Sequence, residues 1–178
     1  MRDPFSDLEA ALSDAADESE TSIETRLDPG RQARTGVPEV VFGVGKTDEQ
    51  VAAACSGLLA RLPRVIVSGV ERDRIERIVS IVGSDLVIDR PFPGQTCVVA
   101  RGGTEPPNSC GFVAILTAGT SDLPAAGEAA TVAREIGCQV EMIADVGVAG
   151  LHRLVQPLRR VISAGVDVII VAAGMDGA

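Results

Sequence analysis

The chain has 178 residues, of which 46% are apolar, 23% charged and only 2% aromatic. This length and apolar content exclude a disordered protein and predict a core built from aliphatic side chains. Residues 1–24 carry eight acidic residues and one basic residue, whereas the rest of the chain carries 17 acidic and 15 basic ones. The net charge of −9 therefore comes mainly from the N-terminal tract, and no basic face is left for nucleic acid or for an anionic membrane.

The sequence indicates a cytoplasmic protein with reduced thiols. Its first residues have neither the cationic nor the apolar region of a signal peptide, and the longest apolar run, near 168–175, is far too short to span a bilayer. The four cysteines show neither zinc-binding nor CxxC spacing. We therefore expect them to be buried, unpaired thiols.

Residues 1–37 are predicted to form a short helix followed by an acidic linker or arm. A capping box at Ser6 to Glu9 is followed by apolar side chains at helical spacing up to Ala16. From Asp17 to Gly36 no periodicity continues. Because residues 1–24 hold most of the net charge and a single short helix, we expect them to be dispensable for the fold.

Residues 38–101 are predicted to form a small α+β domain. Four apolar runs indicate strands, at 40–42, 64–70, 85–90 and 96–100. A capping box at Thr47 to Gln50 opens one helix, and residues 73–82 have the periodicity of a second. Residues 102–110, with paired glycines and paired prolines, predict a hinge.

From residue 111 to 178 the pattern changes to a regular alternation of strand and helix. Apolar runs at 112–119, 139–145 and 166–174 alternate with helical patterns at 123–136 and 151–162. Strands that are apolar without alternation are buried on both faces, as in a parallel sheet. The expected fold class is α/β, a flavodoxin-like doubly wound parallel sheet, incomplete at its C-terminus and preceded by the small α+β domain.

A ligand is expected at the carboxyl ends of these strands, as in other open parallel sheets. The loops that leave them, at 118–122, 145–153 and 173–178, are rich in Gly and Ala and allow close approach to a ligand. Gly119, Thr120 and Ser121 lead into a helix N-terminus, where a phosphate is stabilised. The alternative at this loop is that Ser121 and Asp122 are only helix caps.

The same edge of the sheet carries the remaining candidate side chains. His152 is the only histidine, and its neighbour Arg153 is suited to a phosphate, although both have ordinary structural alternatives. Asp145 and Asp176 are carboxylates that could orient a base or hold Mg²⁺, or form an ion pair with Arg153. None of the cysteines is expected at this edge, since Cys110 and Cys138 precede their strands.

Two blocks of sequence resemble a known family. LTAGTSDLPAAGEAA, IADVGVAGLHRL and VAAGMDGA are similar to the AIR-carboxylase (PurE-like) domain, and specifically to its LarB branch. Upstream, DPGRQARTGVPEVVFGVGKT resembles the LarB N-terminal signature, with matches at Asp28, Arg31, Arg34, Gly36, Pro38, Glu39 and Lys46.

The resemblance implies a reaction and a set of site residues. LarB proteins carboxylate the pyridinium ring of nicotinic acid adenine dinucleotide with CO₂ and hydrolyse its phosphoanhydride, which begins the nickel-pincer nucleotide cofactor. CO₂ or bicarbonate is then the co-substrate, no cofactor is tightly bound apart from a possible Mg²⁺ at Asp176, and the assembly is a homo-oligomer. The implied catalytic residues are Asp122, His152 and Asp176, and the implied substrate-binding residues are Gly119, Thr120, Ser121, Gly147, Gly150, Arg153 and Gly174.

The sequence also departs from the family pattern. The nucleophilic cysteine of LarB lies in a segment that follows the last motif, so a truncated chain is expected to bind a nucleotide weakly, to catalyse no carboxylation and to be poorly soluble. Asp176 and Gly127 stand where the family has Glu, and Gly127 is expected to weaken its helix by roughly 1 kcal/mol relative to Ala. Two alternatives remain: a PurE-like aminoimidazole ribonucleotide carboxylase or mutase, with His152 moving the proton, and a non-catalytic nucleotide-binding remnant.

Overall fold

The computed structural model describes residues 21–22, 25–108 and 111–175. The helix predicted near residues 6–16, Cys110 and Asp176 lie outside these ranges. The elements in chain order are β1 (Thr21–Ser22), β2 (Thr25–Arg26), α1 (Arg31–Thr35), β3 (Val40–Phe42), α2 (Asp48–Leu59), β4 (Arg64–Ser68), α3 (Arg72–Val82), β5 (Leu86–Asp89), β6 (Cys97–Arg101), β7 (Phe112–Thr117), α4 (Leu123–Ile136), β8 (Gln139–Ile143), α5 (Leu151–Ser163) and β9 (Val168–Ala172).

β1 and β2 form a small two-stranded antiparallel sheet. Of the two larger sheets, the first has the strand order β3-β4-β6-β5. β3 runs parallel to β4, whereas β6 pairs antiparallel with both β4 and β5. Alternate residues of these strands pack with α2 and α3 in one core, in which Leu58, Ile75 and Val67 are fully buried. α2 begins at the predicted capping box, where Thr47 Oγ1 accepts from the Gln50 N–H at 3.3 Å.

The second sheet has the strand order β8-β7-β9, and all three strands are parallel. Along β7, Ala114 and Leu116 belong to the core on the α5 side, whereas Val113 and Ile115 belong to the core on the α4 side. A parallel sheet with one helix on each face is the doubly wound arrangement. The predicted α/β fold class is therefore confirmed.

Helix α4 packs against both sheets. One side of α4 contributes Ala126 and Ala130 to the core of the second sheet. On its other side, Val132 packs against apolar side chains on the face of the first sheet that points away from α2 and α3. Gly127 makes the close contact possible, because a Cβ at this position would lie 1.7 Å from the carbonyl oxygen of Pro93. The expectation that Gly127 only weakens its helix is therefore incomplete, since the close packing requires a residue without a side chain.

A buried ion pair also joins the two sheets. Arg64, the first residue of β4, donates through Nε and Nη2 to the two carboxylate oxygens of Glu135 on α4, at 2.7 and 2.8 Å. Its remaining nitrogen donates to the carbonyl oxygen of Thr104 at 2.7 Å, and Nη2 also reaches Asp89 at 3.0 Å. The Arg64 and Glu135 side chains are only 8% and 5% exposed. The Arg64 guanidinium group, at the start of β4, thus binds both α4, through Glu135, and the segment that follows β6, through Thr104.

Strand β9 forms one edge of the second sheet and carries exposed apolar side chains. Val168 and Val171 are 50% and 59% exposed, and apolar side chains of α5 are exposed as well, among them Leu151 and Ile162. Within the described ranges, no helix has both the length and the apolar composition needed to cross a bilayer.

Candidate functional site

The three loops predicted from the sequence meet at one cavity of about 370 Å³. It lies at the carboxyl ends of β7, β8 and β9, where the strand order β8-β7-β9 reverses direction. Of the sequence-predicted site residues, six line this cavity, and they are Gly119, Ser121, Asp122, Gly147, Arg153 and Gly174. Asp145 and Met175 also line the cavity, together with the small or apolar residues Ala118, Val148 and Ala149.

Asp122 connects the first and third of these loops. Its Oδ2 accepts from the backbone N–H of Gly119 at 2.9 Å, and its Oδ1 accepts from the backbone N–H of Gly174 at 3.1 Å. Both carboxylate oxygens are therefore used to hold backbone. A Cβ at Gly174 would lie only 3.2 Å from Asp122 Oδ1, so this close approach favours glycine. Asp122 is a positioning residue for two loops rather than a simple helix cap.

The second loop is held by Thr117 and Asp145. The backbone N–H of Asp145 donates to the buried Thr117 hydroxyl at 3.1 Å, and Asp145 adopts a positive φ of 59°. This conformation is costly for a residue with a side chain and is tolerated best by Asn and Asp. The Asp145 carboxylate forms an ion pair with Arg153, which places the guanidinium group beside the cavity.

Helical geometry places hydrogen-bond donors at the mouth of the cavity. Thr120 to Asp122 form a single 3₁₀ turn that leads directly into α4. The first N–H groups of such a turn have no partner within the helix, and the dipole of the 14-residue α4 adds positive potential there. The cavity is therefore electrostatically mixed: its lining combines backbone donors and the Arg153 guanidinium group with the carboxylates of Asp122 and Asp145, which already have partners.

The other predicted site residues lie around the cavity but do not line it. Thr120 is exposed beside Ser121, and His152 is exposed in the first turn of α5 next to Arg153. Gly150 is buried under the same turn, and a Cβ there would lie 2.6 Å from Nε of Arg153. Asp176 lies outside the described residues, so its predicted catalytic and Mg²⁺-binding roles stay predictions.

The N-terminal motif residues form a charged cluster away from this cavity. Arg34 pairs with Asp28, and Arg31 lies 3.9 Å from the carboxylate of Glu39. Burial of Glu39 raises its pKa above the ordinary value, although Arg31 opposes the change. These pairs connect α1 to the segments before and after it.

Lys46, the remaining residue of that motif, makes a separate contact. It donates through Nζ to the carbonyl oxygen of Phe42 at 2.8 Å. Lys46 thereby holds the turn between β3 and α2.

Neither a metal cluster nor a reactive thiol is found at the cavity among the described residues. In those ranges, no three His, Cys, Asp or Glu side chains lie close enough to hold a metal ion. Cys55 and Cys97 are buried in the first sheet's core, and burial raises their thiol pKa values to about 12 and about 11. Cys138 precedes β8, at the opposite edge of the second sheet from the cavity.

Sequence reasoning missed one residue that shapes the cavity, Thr117, and one role of a second residue, Gly147. Thr117 anchors Asp145 from the end of a buried strand, where its hydroxyl was hidden in an apolar run. Gly147 allows the second loop to approach the first, because a Cβ there would lie 2.7 Å from the carbonyl oxygen of Ala118. Gly147 was expected to bind substrate, but its contact with the neighbouring loop gives it a structural role too.

Comparison with known proteins agrees with this architecture. A LarB/PurE-like N-terminal domain matches residues 19–87. An uncharacterized protein of Methanocaldococcus jannaschii is 37% identical over 158 residues, which is 86% of this chain and 60% of the relative. A match of this length has to include parts of both sheets. The chain spans only about 60% of the length of that curated relative, and only its residues 19–87 match the LarB/PurE-like domain.

Proposed function

We propose that this chain binds the dinucleotide substrate of a LarB-type carboxylase. In that reaction, the pyridinium ring of nicotinic acid adenine dinucleotide is carboxylated with CO₂ and its phosphoanhydride is hydrolysed. The observation that carries the proposal is the convergence of three Gly/Ala-rich loops on one cavity, with a helix N-terminus and Arg153 beside it. The match of residues 19–87 to a LarB/PurE-like N-terminal domain supports the same reaction class.

The geometry suits a phosphate group. Backbone donors at the start of the Thr120–Asp122 turn and the dipole of α4 stabilise negative charge, and Arg153 supplies a guanidinium group for two parallel hydrogen bonds. The ion pair with Asp145 orients Arg153 before a ligand arrives. The bond from Gly174 to Asp122 keeps the third loop close to the first.

The chemistry on the ring requires a further group. A pyridinium carbon is electron-poor, so a nucleophile must first add to the ring and convert it into an enamine that can attack CO₂. A base then removes the ring proton and the nucleophile leaves. We assign the base role to His152, which stands beside Arg153. Since no cysteine of the described residues lines the cavity, we expect dinucleotide binding without turnover.

Binding is tested by calorimetric titration with nicotinic acid adenine dinucleotide. Arg153→Met should weaken binding about tenfold, because a charged hydrogen bond to phosphate is lost. Arg159→Met is the matched control, since Arg159 is exposed on the same helix and does not line the cavity. Equal affinities for the two variants would overturn the placement of the phosphate.

Turnover is tested by mass spectrometry with the same dinucleotide and bicarbonate, on this chain and on the longer Methanocaldococcus jannaschii relative. We expect product from the relative and none from the 178-residue chain. Product from this chain at a comparable rate would mean that another residue is the nucleophile. If neither protein forms this product but aminoimidazole ribonucleotide is converted, the proposal is wrong and a PurE-like reaction takes its place.

A further inference from the structure

A second cleft, of about 500 Å³, lies between the two sheets. Its walls come from the carboxyl ends of β3 and β4, from the loop between β5 and β6, and from the first turns of α4. A Cβ at Gly94 would lie 3.0 Å from Cα of Pro124, so this loop comes very close to the helix at one end of the cleft. None of the residues named so far as site residues lines it.

A chain of hydrogen bonds ends in this cleft. The Thr96 hydroxyl donates to Ser68 Oγ at 3.2 Å, and the Ser68 hydroxyl donates to Oε1 of Glu128 at 2.9 Å. Thr96 and Ser68 are buried, whereas Glu128 is exposed. Within the described residues Oε2 of Glu128 accepts no hydrogen bond. Glu128 therefore presents a fixed carboxylate with a free acceptor to the cleft.

An aromatic ring forms another part of the lining. The Phe42 side chain is 52% exposed, although this chain has only four aromatic residues and no Trp or Tyr. Phe42 lies over Gly69, where a Cβ would come within 3.5 Å of its Cε2 atom. Among the described residues, no basic side chain lines the cleft, so a phosphate is disfavoured there. An aromatic face with a nearby carboxylate suits a nucleoside, whose base stacks and whose ribose hydroxyls donate.

The cleft and the first cavity lie at the same end of α4. Ser121 and Asp122, in the 3₁₀ turn that leads into α4, line the first cavity, whereas Pro124, Ala125 and Glu128 line the cleft. Six residues separate Asp122, the N-cap of α4, from Glu128, which corresponds to about 9 Å along the helix axis. A ligand lying along the start of α4 can therefore place phosphate at the Gly119–Asp122 loop and a nucleoside at Glu128.

We propose that this cleft binds the adenosine half of the dinucleotide, with the purine on Phe42 and the ribose hydroxyls on Glu128. This inference rests on the proposed function, because the position of the phosphates is taken from it. It gives the first sheet a part in substrate recognition, since Phe42 and Ser68 come from that sheet. A mononucleotide that contains only the nicotinic acid half would not reach the cleft.

The test compares three ligands, which are nicotinic acid adenine dinucleotide, nicotinic acid mononucleotide and adenosine. Phe42→Ala and Glu128→Gln should each weaken binding of the dinucleotide and of adenosine about tenfold. Both variants should leave the mononucleotide affinity unchanged. Ile81→Ala and Glu76→Gln are matched controls, since both residues are exposed on α3 and do not line the cleft.

The outcomes separate this inference from the proposed function. If the dinucleotide binds and neither cleft variant changes its affinity, the inference is overturned while the proposed function stands. An equal loss for dinucleotide and mononucleotide would show a general effect on the fold and would also overturn it. If the unchanged chain binds none of the three ligands, both proposals are wrong.

Discussion

Replacing Glu135 by Gln tests how strongly the buried ion pair joins the two sheets. Glu135 accepts two hydrogen bonds from Arg64, and both side chains are nearly inaccessible to water. Breaking a buried pair by removing one partner costs about 3–5 kcal/mol. Arg64 keeps Asp89 and the Thr104 carbonyl as partners, so we expect the lower end, about 3 kcal/mol.

The assay is urea and thermal unfolding followed by circular dichroism. For a chain of this size, 3 kcal/mol corresponds to a fall in Tm of about 6–12 °C. Glu141→Gln is the matched control, because Glu141 pairs with Arg160 at the surface, where such a pair contributes about 1 kcal/mol or less. If the two variants lose the same stability, the buried pair does not hold the sheets together as argued.

The same network predicts how stability depends on pH. Burial of Asp89 raises its pKa, but hydrogen bonds from Arg134 and Arg64 outweigh that effect and leave the pKa below its ordinary value. A carboxylate with a lowered pKa stabilises the fold above its unfolded pKa, and the contribution is lost as the pH falls through the folded value. Asp89→Asn should therefore flatten the loss of stability below about pH 4. An unchanged acid slope in urea titrations would contradict this.

Three further results are expected. Gly127→Ala should destabilise the chain by about 1–3 kcal/mol in urea unfolding, because the clash with the Pro93 carbonyl exceeds the gain in helix propensity; a stabilised variant would contradict the close contact. Asp122→Ala should speed amide hydrogen exchange at Gly174, whose N–H loses its acceptor, and unchanged exchange would mean that the bond is not formed in solution. Val171→Lys should reduce light scattering of concentrated solutions, because a charge on an exposed edge strand opposes edge-to-edge pairing; equal scattering would place the aggregating surface elsewhere.

Local sequence patterns were sufficient to predict the strands and helices of the two larger sheets. The apolar runs became the parallel strands β7 and β8, of which β7 is buried along most of its length and β8 only at Ile143, and the Thr47 capping box begins α2. The ends of the strands were predicted less accurately. The run at 139–145 predicts a strand, but β8 ends at Ile143, and Asp145 leaves the strand with a positive φ. β8 ends early because the Thr117 hydroxyl accepts a hydrogen bond from the Asp145 N–H. The two residues are 28 positions apart, so no local sequence pattern predicts this contact.

The packing of the two sheets on each other could not be predicted from the sequence. Arg64 and Glu135 are 71 residues apart, and each sits at the end of an element, where a charged residue is ordinarily exposed. Gly127 resembled a weak point of its helix because the contacting Pro93 carbonyl is distant in sequence. The cavity was predictable because its loops follow strand ends, whereas the cleft beside Glu128 depends on this long-range packing.

The place of β6 determines the order in which the first sheet can form. β5 pairs only with β6 among the described strands, and β6 lies between β5 and β4 although it is the last of the four strands of this sheet along the chain. During synthesis β5 therefore has no neighbour until residues 97–101 have left the ribosome. The pairing of β6 with β4, which joins residues 30 to 36 positions apart, is the longer-range step and the one that slows folding. The domain match ends at residue 87, inside β5. A fragment cut there would lack the strand that joins the sheet, so its cooperative folding unit extends at least to Arg101.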